Sequence, residues 1–405
     1  MTNDASNKPR KGLLVRLTNA LASFELSVSI LMFLMVITFF GTLAQVDHGL
    51  YVAQKMYFES WFVSQPLWLL SLPLPGGQLL MAALAVNLFF GGLFRIRKNT
   101  RTAGIIVVHI GIVVLLVSSL VKHRFSEDGR LTLYEGESGA EFIHYHDWEI
   151  AIHEVGPTEN VKEWLIADED IEVLKGDLER KVNSPDLPME LTIRGFVENA
   201  TVVRAREGMR TALPVVDGYT VVPQDRNTQN QLNVAAIYVS ILDRATGSIQ
   251  DGILWGQDSY PLVVEAGGKQ WSIRLRHERF EMPFGIELVD FKKEDHARMR
   301  MAASYSSDVL RIEGEERTPV HIRMNEPLRH EGMILFQSGW GPQDAPPGTP
   351  LFSTFSVVRN PSDQWPLISC IIIGLGMLIA FAIRLIGFIG KQMRARRDET
   401  QGQGA

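Results

Sequence analysis

Four apolar runs set the terms on which this chain can fold. A bilayer core about 30 Å thick is crossed by about 20 residues of helix, and the segments 27–46, 76–94, 103–121 and 366–390 have that length and composition. All four are expected to be transmembrane helices. The first exceeds the roughly 7–15 apolar residues of a secretory signal, and no clear small-x-small cleavage site follows it, so it is expected to stay as an anchor.

The charges between the runs give an expected orientation, because Lys and Arg of short flanking segments are retained on the cytoplasmic side. Lys8, Arg10, Lys11 and Arg16 precede the first span; Arg95, Arg97, Lys98 and Arg101 join the second and third; Lys391, Arg394, Arg396 and Arg397 follow the fourth. Between 47 and 75 only Lys55 is basic. Both termini, 1–26 and 391–405, are therefore expected in the cytoplasm, and the insert 122–365 outside. That insert holds 26 basic and 40 acidic residues, a charge of −14, whereas the remainder holds 14 and 6, a charge of +8. Such an acidic body repels phosphate, which excludes a nucleic-acid partner. The outer loop after span one carries Tyr51, Tyr57, Phe58, Trp61, Phe62 and Trp68. These suit either an interfacial aromatic belt or the floor of a ligand site.

The insert reads as β-sheet. Alternation or β-branched enrichment recurs at 131–134, 141–153, 190–203, 234–242, 252–255, 262–264, 271–276, 284–291, 309–312, 319–324, 333–337 and 352–358. Asp243-Arg-Ala-Thr-Gly247 reads as a hairpin turn, and only 159–175 is weakly helical. The expected fold is thus a polytopic α-helical membrane protein of four transmembrane helices carrying a large extracytoplasmic all-β domain, a sandwich or distorted barrel. With Cys370 as the single cysteine, no intrachain disulfide, Cys-x-x-Cys pair or Cys-x-x-Cys-His haem-attachment site exists.

Of ten histidines, His109 alone falls inside a predicted span. An ionisable group in hydrocarbon is costly and marks a candidate site. It lies six residues from Ala103, about 9 Å at 1.5 Å per residue, on the cytoplasmic side of the midplane. Gly104, Gly111 and Ser118 form a small-residue stripe suited to helix packing, and His109 lies about 200° around the helix from Gly111. Imidazole stays neutral there as a ligand to a metal such as haem iron, or by bonding to a neighbour, for which Asn87 and Thr42 are the candidates. Arg384 is expected to snorkel. His48 and His123, near the outer ends of spans one and three, could touch a ligand or be solvated. His144 and His146 share a strand face as a metal pair lacking a third ligand; they, with His153, His277, His296, His321 and His330, are read as surface residues. No zinc signature, phosphate loop or nucleophile elbow is present.

Short motifs add to this layout: Gly41-Thr42-Leu43 with Gln45 and Tyr51; His109-Ile110-Gly111; Pro283-Phe284 leading to Val289-Asp290-Phe291; Tyr305-Ser306-Ser307; Asn325-Glu326-Pro327-Leu328, Gly332 and Phe336-Gln337-Ser338-Gly339-Trp340-Gly341. In this order they make the chain resemble the ResB (CcsB) family of System II cytochrome c biogenesis. The resemblance implies a bacterial cytoplasmic (inner) membrane protein that acts with a ResC (CcsA) type partner. Together they would move haem b outward and present it to apocytochrome c, whose thiols a thioredoxin-like reductant maintains. It implies no self-contained active site, only a subunit of a haem lyase complex. His109 matches the family's transmembrane haem ligand, with the second axial ligand coming from the partner. The outer haem-ligating histidines belong to the ResC half and are not carried over to His48 or His123. Two other classes stay open on the residues alone: an electron-transfer subunit with a structural haem b, and a membrane-anchored scaffold or sensor without cofactor.

Overall fold

In a computed structural model of the chain, residues 12–63, 73–156, 161–206, 212–295, 302–343, 346 and 348–402 are described. Lys8, Arg10, Lys11, Trp68 and His296 lie outside them. The chain divides into a helical unit, built from its two ends through Ser126 and from Asn360, and a β-rich unit, Glu127–Arg359.

Among the described residues, four helical stretches of the helical unit are long and apolar enough to cross a membrane: Phe24–Phe58, Gly77–Phe94, Thr100–Phe125 and Trp365–Arg397. The first starts cleanly because the Ser23 side chain accepts from the Leu26 amide at 3.2 Å. It bends at Gly49, whose φ of 77° suits a residue without Cβ. Beyond the bend the chain folds back, and Phe58 packs on Gly41, where an added Cβ would meet its ring at 2.9 Å. Tyr57 and Val63 are buried in one cluster with Ile30, Ile37 and Leu80. Of the six aromatics read as a belt or a ligand floor, Tyr57 thus belongs to the packing between spans one and two, while Trp61 and Phe62 are exposed.

The third and fourth spans pair through the small-residue stripe. Gly104, Gly111 and Ser118 are buried, and a Cβ at Gly104 would lie 2.4 Å from the Ala380 amide nitrogen. Ser369 Oγ donates to the Gly111 carbonyl, and Ser362 Oγ to that of Ser118 at 3.0 Å. Each such interhelical bond contributes about 0.6 kcal/mol; the close backbone approach contributes the dispersion.

The β-rich unit is antiparallel throughout. Its ten-stranded sheet runs in the order Glu316–Arg323, Ala302–Glu313, Lys269–Asp295, Ser138–Glu154, Glu127–Tyr134, Phe352–Arg359, Met333–Gly341 and Leu328–His330, with two short strands pairing alongside. Ile322 at one end and Leu328 at the other enter the same core, so the sheet curls around it. A four-stranded sheet (Glu179–Asn183, Met189–Val197, Ala236–Asp243, Ile249–Trp255) covers a second core. The two long strands serve both: Ile150, Ile152, Trp271, Ile273 and Leu275 face one core, Phe142, Phe284, Ile286 and Leu288 the other. Between them the pairing jumps from His277↔Trp148 to Arg279↔Ile143, so residues 144–147 bulge out opposite Glu278.

Differences from the sequence reading have local causes. Of the region 159–175, the described residues 161–175 hold the strand Glu163–Ile166 and a single turn Asp168–Ile171 rather than one helix. The run 190–203 is two strands, Met189–Val197 and Ala200–Arg204, in different sheets. The turn at Asp243 stands: its carboxylate accepts from the Ala245 amide and the Thr246 hydroxyl, and Gly247 takes a φ of 72°.

Candidate functional site

His109 sits mid-helix within Ala103–Phe125, on the face opposite the Gly104, Gly111, Ser118 stripe. Its Nδ1 donates to the Ile105 carbonyl, one turn back, at 2.7 Å. A carbonyl only accepts, so Nδ1 carries the proton and neutral imidazole keeps its lone pair on Nε2. That is the tautomer in which histidine coordinates metals through Nε2, with the backbone bond fixing the ring. The ring is half-buried. It faces Gly92, in the Phe89–Phe94 segment, where the helix widens to a π-type turn and the Arg95 amide bonds back to Phe90 O at 3.0 Å.

Neither neighbour expected to satisfy His109 without a cofactor does so. Asn87 is buried, but its Nδ2 donates to the carbonyls of Leu21 and Ser23 and its Oδ1 accepts from Ser27. It fastens span two to the start of span one. Thr42 Oγ1 donates to its own helix at Thr38 O. The signal for the real partner was periodic: the carbonyl four residues back is within reach of any helical histidine.

The other histidines are engaged differently. Gln78 Nε2 donates to His123 Nε2 at 2.7 Å, using the lone pair that a metal would need. His48 is exposed, just before the Gly49 bend, and so is Arg384. His144 Nδ1 accepts from the amide of Asp147 at 2.9 Å, which puts the proton on Nε2. His146 pairs with Asn230 at 3.2 Å. The two rings meet edge to face with centroids 6.2 Å apart. Ligand-type atoms of His144, Asp147 and Glu278 do lie within 4.8 Å of one another, yet the His144 nitrogen that could accept a metal already accepts the backbone amide. Reading the histidines of the insert as surface residues also needs correction at His277, which lies in the strand Lys269–Asp295. It stacks on Trp148 with centroids 3.9 Å apart, and burial pushes its pKa down to about 4. Burial, then the carboxylates of Asp147, Glu149, Asp168 and Glu127, push Glu278 up to about 7.

The motifs of the β-rich unit are architectural. Ser307 donates to Gln337 Oε1 at 2.6 Å and pairs with the Ser353 hydroxyl at 2.9 Å, and Gln337 Nε2 donates to Gly339 O across a bulge. Ser307 and Ser353 are fully buried, so this network satisfies polar groups in a core. Trp340 stacks on Phe291 at 5.5 Å, with Tyr305 beside them. Glu331 and Gly332, both at positive φ, form the two-residue turn between Leu328–His330 and Met333–Gly341.

Comparison with known proteins gives one family. No curated protein matches the sequence. Residues 248–351 match the model of the ResB-like family, a stretch that holds the Pro283, Tyr305 and Gln337 motifs but not His109. That match makes residues 248–351 similar to the ResB-like family.

Proposed function

We propose that this chain is the ResB-type subunit of a membrane complex that holds haem and presents it to apocytochrome c, working with a ResC (CcsA) type partner. The observation that carries this reading is the tautomer of His109. An imidazole in an apolar helix, with Nδ1 donating to Ile105 O and the Nε2 lone pair available, would hold haem iron as a ligand. No second histidine falls within the apolar runs of this chain, so a further ligand would come from the partner. The haem brings the vinyl groups to which apocytochrome thiols add, and a thioredoxin-like protein keeps those thiols reduced. The residues here hold and orient: Ile105 O fixes the ring, and the Gly104 stripe turns His109 away from the fourth span. Arg95, Arg97 and Arg101 at one end support a cytoplasmic position for it, in a bacterial inner membrane, with the β-rich unit outside as the docking surface for partner and apocytochrome.

Recording haem spectra of the chain purified with and without its partner tests this. The expected result is haem only in the complex, lost in His109→Ala together with cytochrome c maturation, and partly regained on adding imidazole. Normal maturation and haem content in His109→Ala overturn the reading. Haem in the isolated chain indicates an electron-transfer subunit instead, and haem in neither preparation a scaffold.

A further inference from the structure

The side of His109 away from Ile105 is closed by a glycine. A Cβ placed at Gly92 would lie 2.3 Å from His109 Cδ2, 2.9 Å from Cγ and 3.1 Å from Nε2. Carbon atoms out of bond contact settle at about 3.5–4.0 Å, so a side chain at 92 and the imidazole in its observed place exclude each other. Gly92 is buried in the π-type turn Phe89–Phe94, with no positive φ that would call for glycine on backbone grounds. In mid-helix it is unfavourable by about 1 kcal/mol relative to Ala. Its neighbour Gly91 differs: the nearest atom to a Cβ there is Ala22 O at 3.3 Å. The ring is therefore gripped by two backbones, a carbonyl at Nδ1 and a bare Cα beside Cδ2, which together fix its direction.

We propose that Gly92 is a positioning residue for His109: its missing side chain sets where Nε2 points. The inference rests on reading His109 as a ligand, but its steric half can be measured without haem. Gly92→Ala, Gly91→Ala, His109→Ala and the double variant Gly92→Ala/His109→Ala are made in the full chain and purified with the partner. Haem content, Soret position and thermal midpoint are recorded for each. Gly92→Ala is expected to lower haem affinity about 10-fold, as loss of an orienting contact does at metal sites, and to shift the Soret band, whereas Gly91→Ala does neither. Its thermal loss should vanish in the His109→Ala background, where no ring remains to be displaced. A wild-type spectrum and haem content in Gly92→Ala overturn the positioning role. So does an equal thermal loss in both backgrounds. If His109→Ala keeps its haem while Gly92→Ala destabilises only the histidine background, the ligand reading falls and the placement of the ring by Gly92 stands.

Discussion

His109 and His144 are the same side chain in opposite tautomers. At His109 a carbonyl meets Nδ1, so the ring donates there and keeps a lone pair on Nε2. At His144 an amide meets Nδ1, so the lone pair is spent and Nε2 holds the proton. The difference arises from the backbone. A helix offers histidine the carbonyl one turn back, whereas the 144–147 bulge turns the amides of His146 and Asp147 toward it. The His144 site has carboxylates nearby and resembles a metal set by proximity alone. His109 stands among apolar groups and lacks that appearance. Ligand capacity follows the committed nitrogen and not the number of polar neighbours.

The largest effect should come from exchanging each histidine for alanine. His109→Ala is expected to remove haem from the complex altogether, whereas His144→Ala leaves haem content and Soret position unchanged. The latter costs about 1–3 kcal/mol of stability, because the Asp147 amide loses its acceptor in a half-buried bulge. Haem spectra and thermal melts of the two variants, side by side, read this out. Haem loss in His144→Ala would remove the distinction drawn between the sites.

A smaller effect is expected from the opposite face of the His109 helix. A Cβ at Gly111 would lie 2.6 Å from Ile373 Cγ1 and 3.1 Å from Ser369 O, so Gly111→Leu forces the third and fourth spans apart and costs about 1–3 kcal/mol or more by overpacking. Haem content should fall partially, since His109 is moved but not removed. An unfolding midpoint equal to wild type would show that the stripe does not set the helix pairing. Asn87→Leu should loosen span one from span two without changing the Soret band, because Asn87 bonds to Leu21, Ser23 and Ser27 and not to His109.

Much of this arrangement was legible beforehand, and the parts that were not have physical reasons. Apolar run length alone locates helices able to cross a membrane, and the seven-residue spacing of Gly104, Gly111 and Ser118 gave the packing face. Alternation located most strands. It missed Glu179–Asn183, which is mostly exposed, and Tyr219–Pro223, where flanking Gly218 and Asp217 read as loop. It also could not show that 271–276 and 284–291 belong to one strand, Lys269–Asp295, because charged Glu278 and Arg279 interrupt the pattern where two cores meet. The partner of His109 was sought among distant polar side chains when it was a carbonyl of its own helix. Gly92 carries no chemistry of its own, so only the fold brings it to the ring.

The smallest expected effect concerns the bulge itself and separates its two titrating groups. Glu278 holds its proton more tightly in the folded state, at about 7 against an ordinary 4.5. Between those values the folded state carries the extra proton, so stability falls as pH rises. His277 goes the other way, at about 4 against 6.5. There the unfolded state carries the extra proton, and stability falls as pH drops through that window. The charged groups facing the pair are Asp147, Glu149, Asp168 and Glu127 around Glu278, and Arg130 and His144 around His277. From pH 4.5 to 6.5 the two slopes oppose and largely cancel. Glu278→Gln should unmask the His277 slope, so that the melting point of the β-rich unit falls on acidification. His277→Gln should unmask the reverse. Halving the single-proton limit for solvent screening gives about 1–2 °C per pH unit in either variant. Circular dichroism melts of the β signal at several pH values read both slopes. Parallel slopes in the two variants would show that the groups do not titrate in opposition, and that the bulge holds Glu278 and His277 in surroundings like those of the open surface.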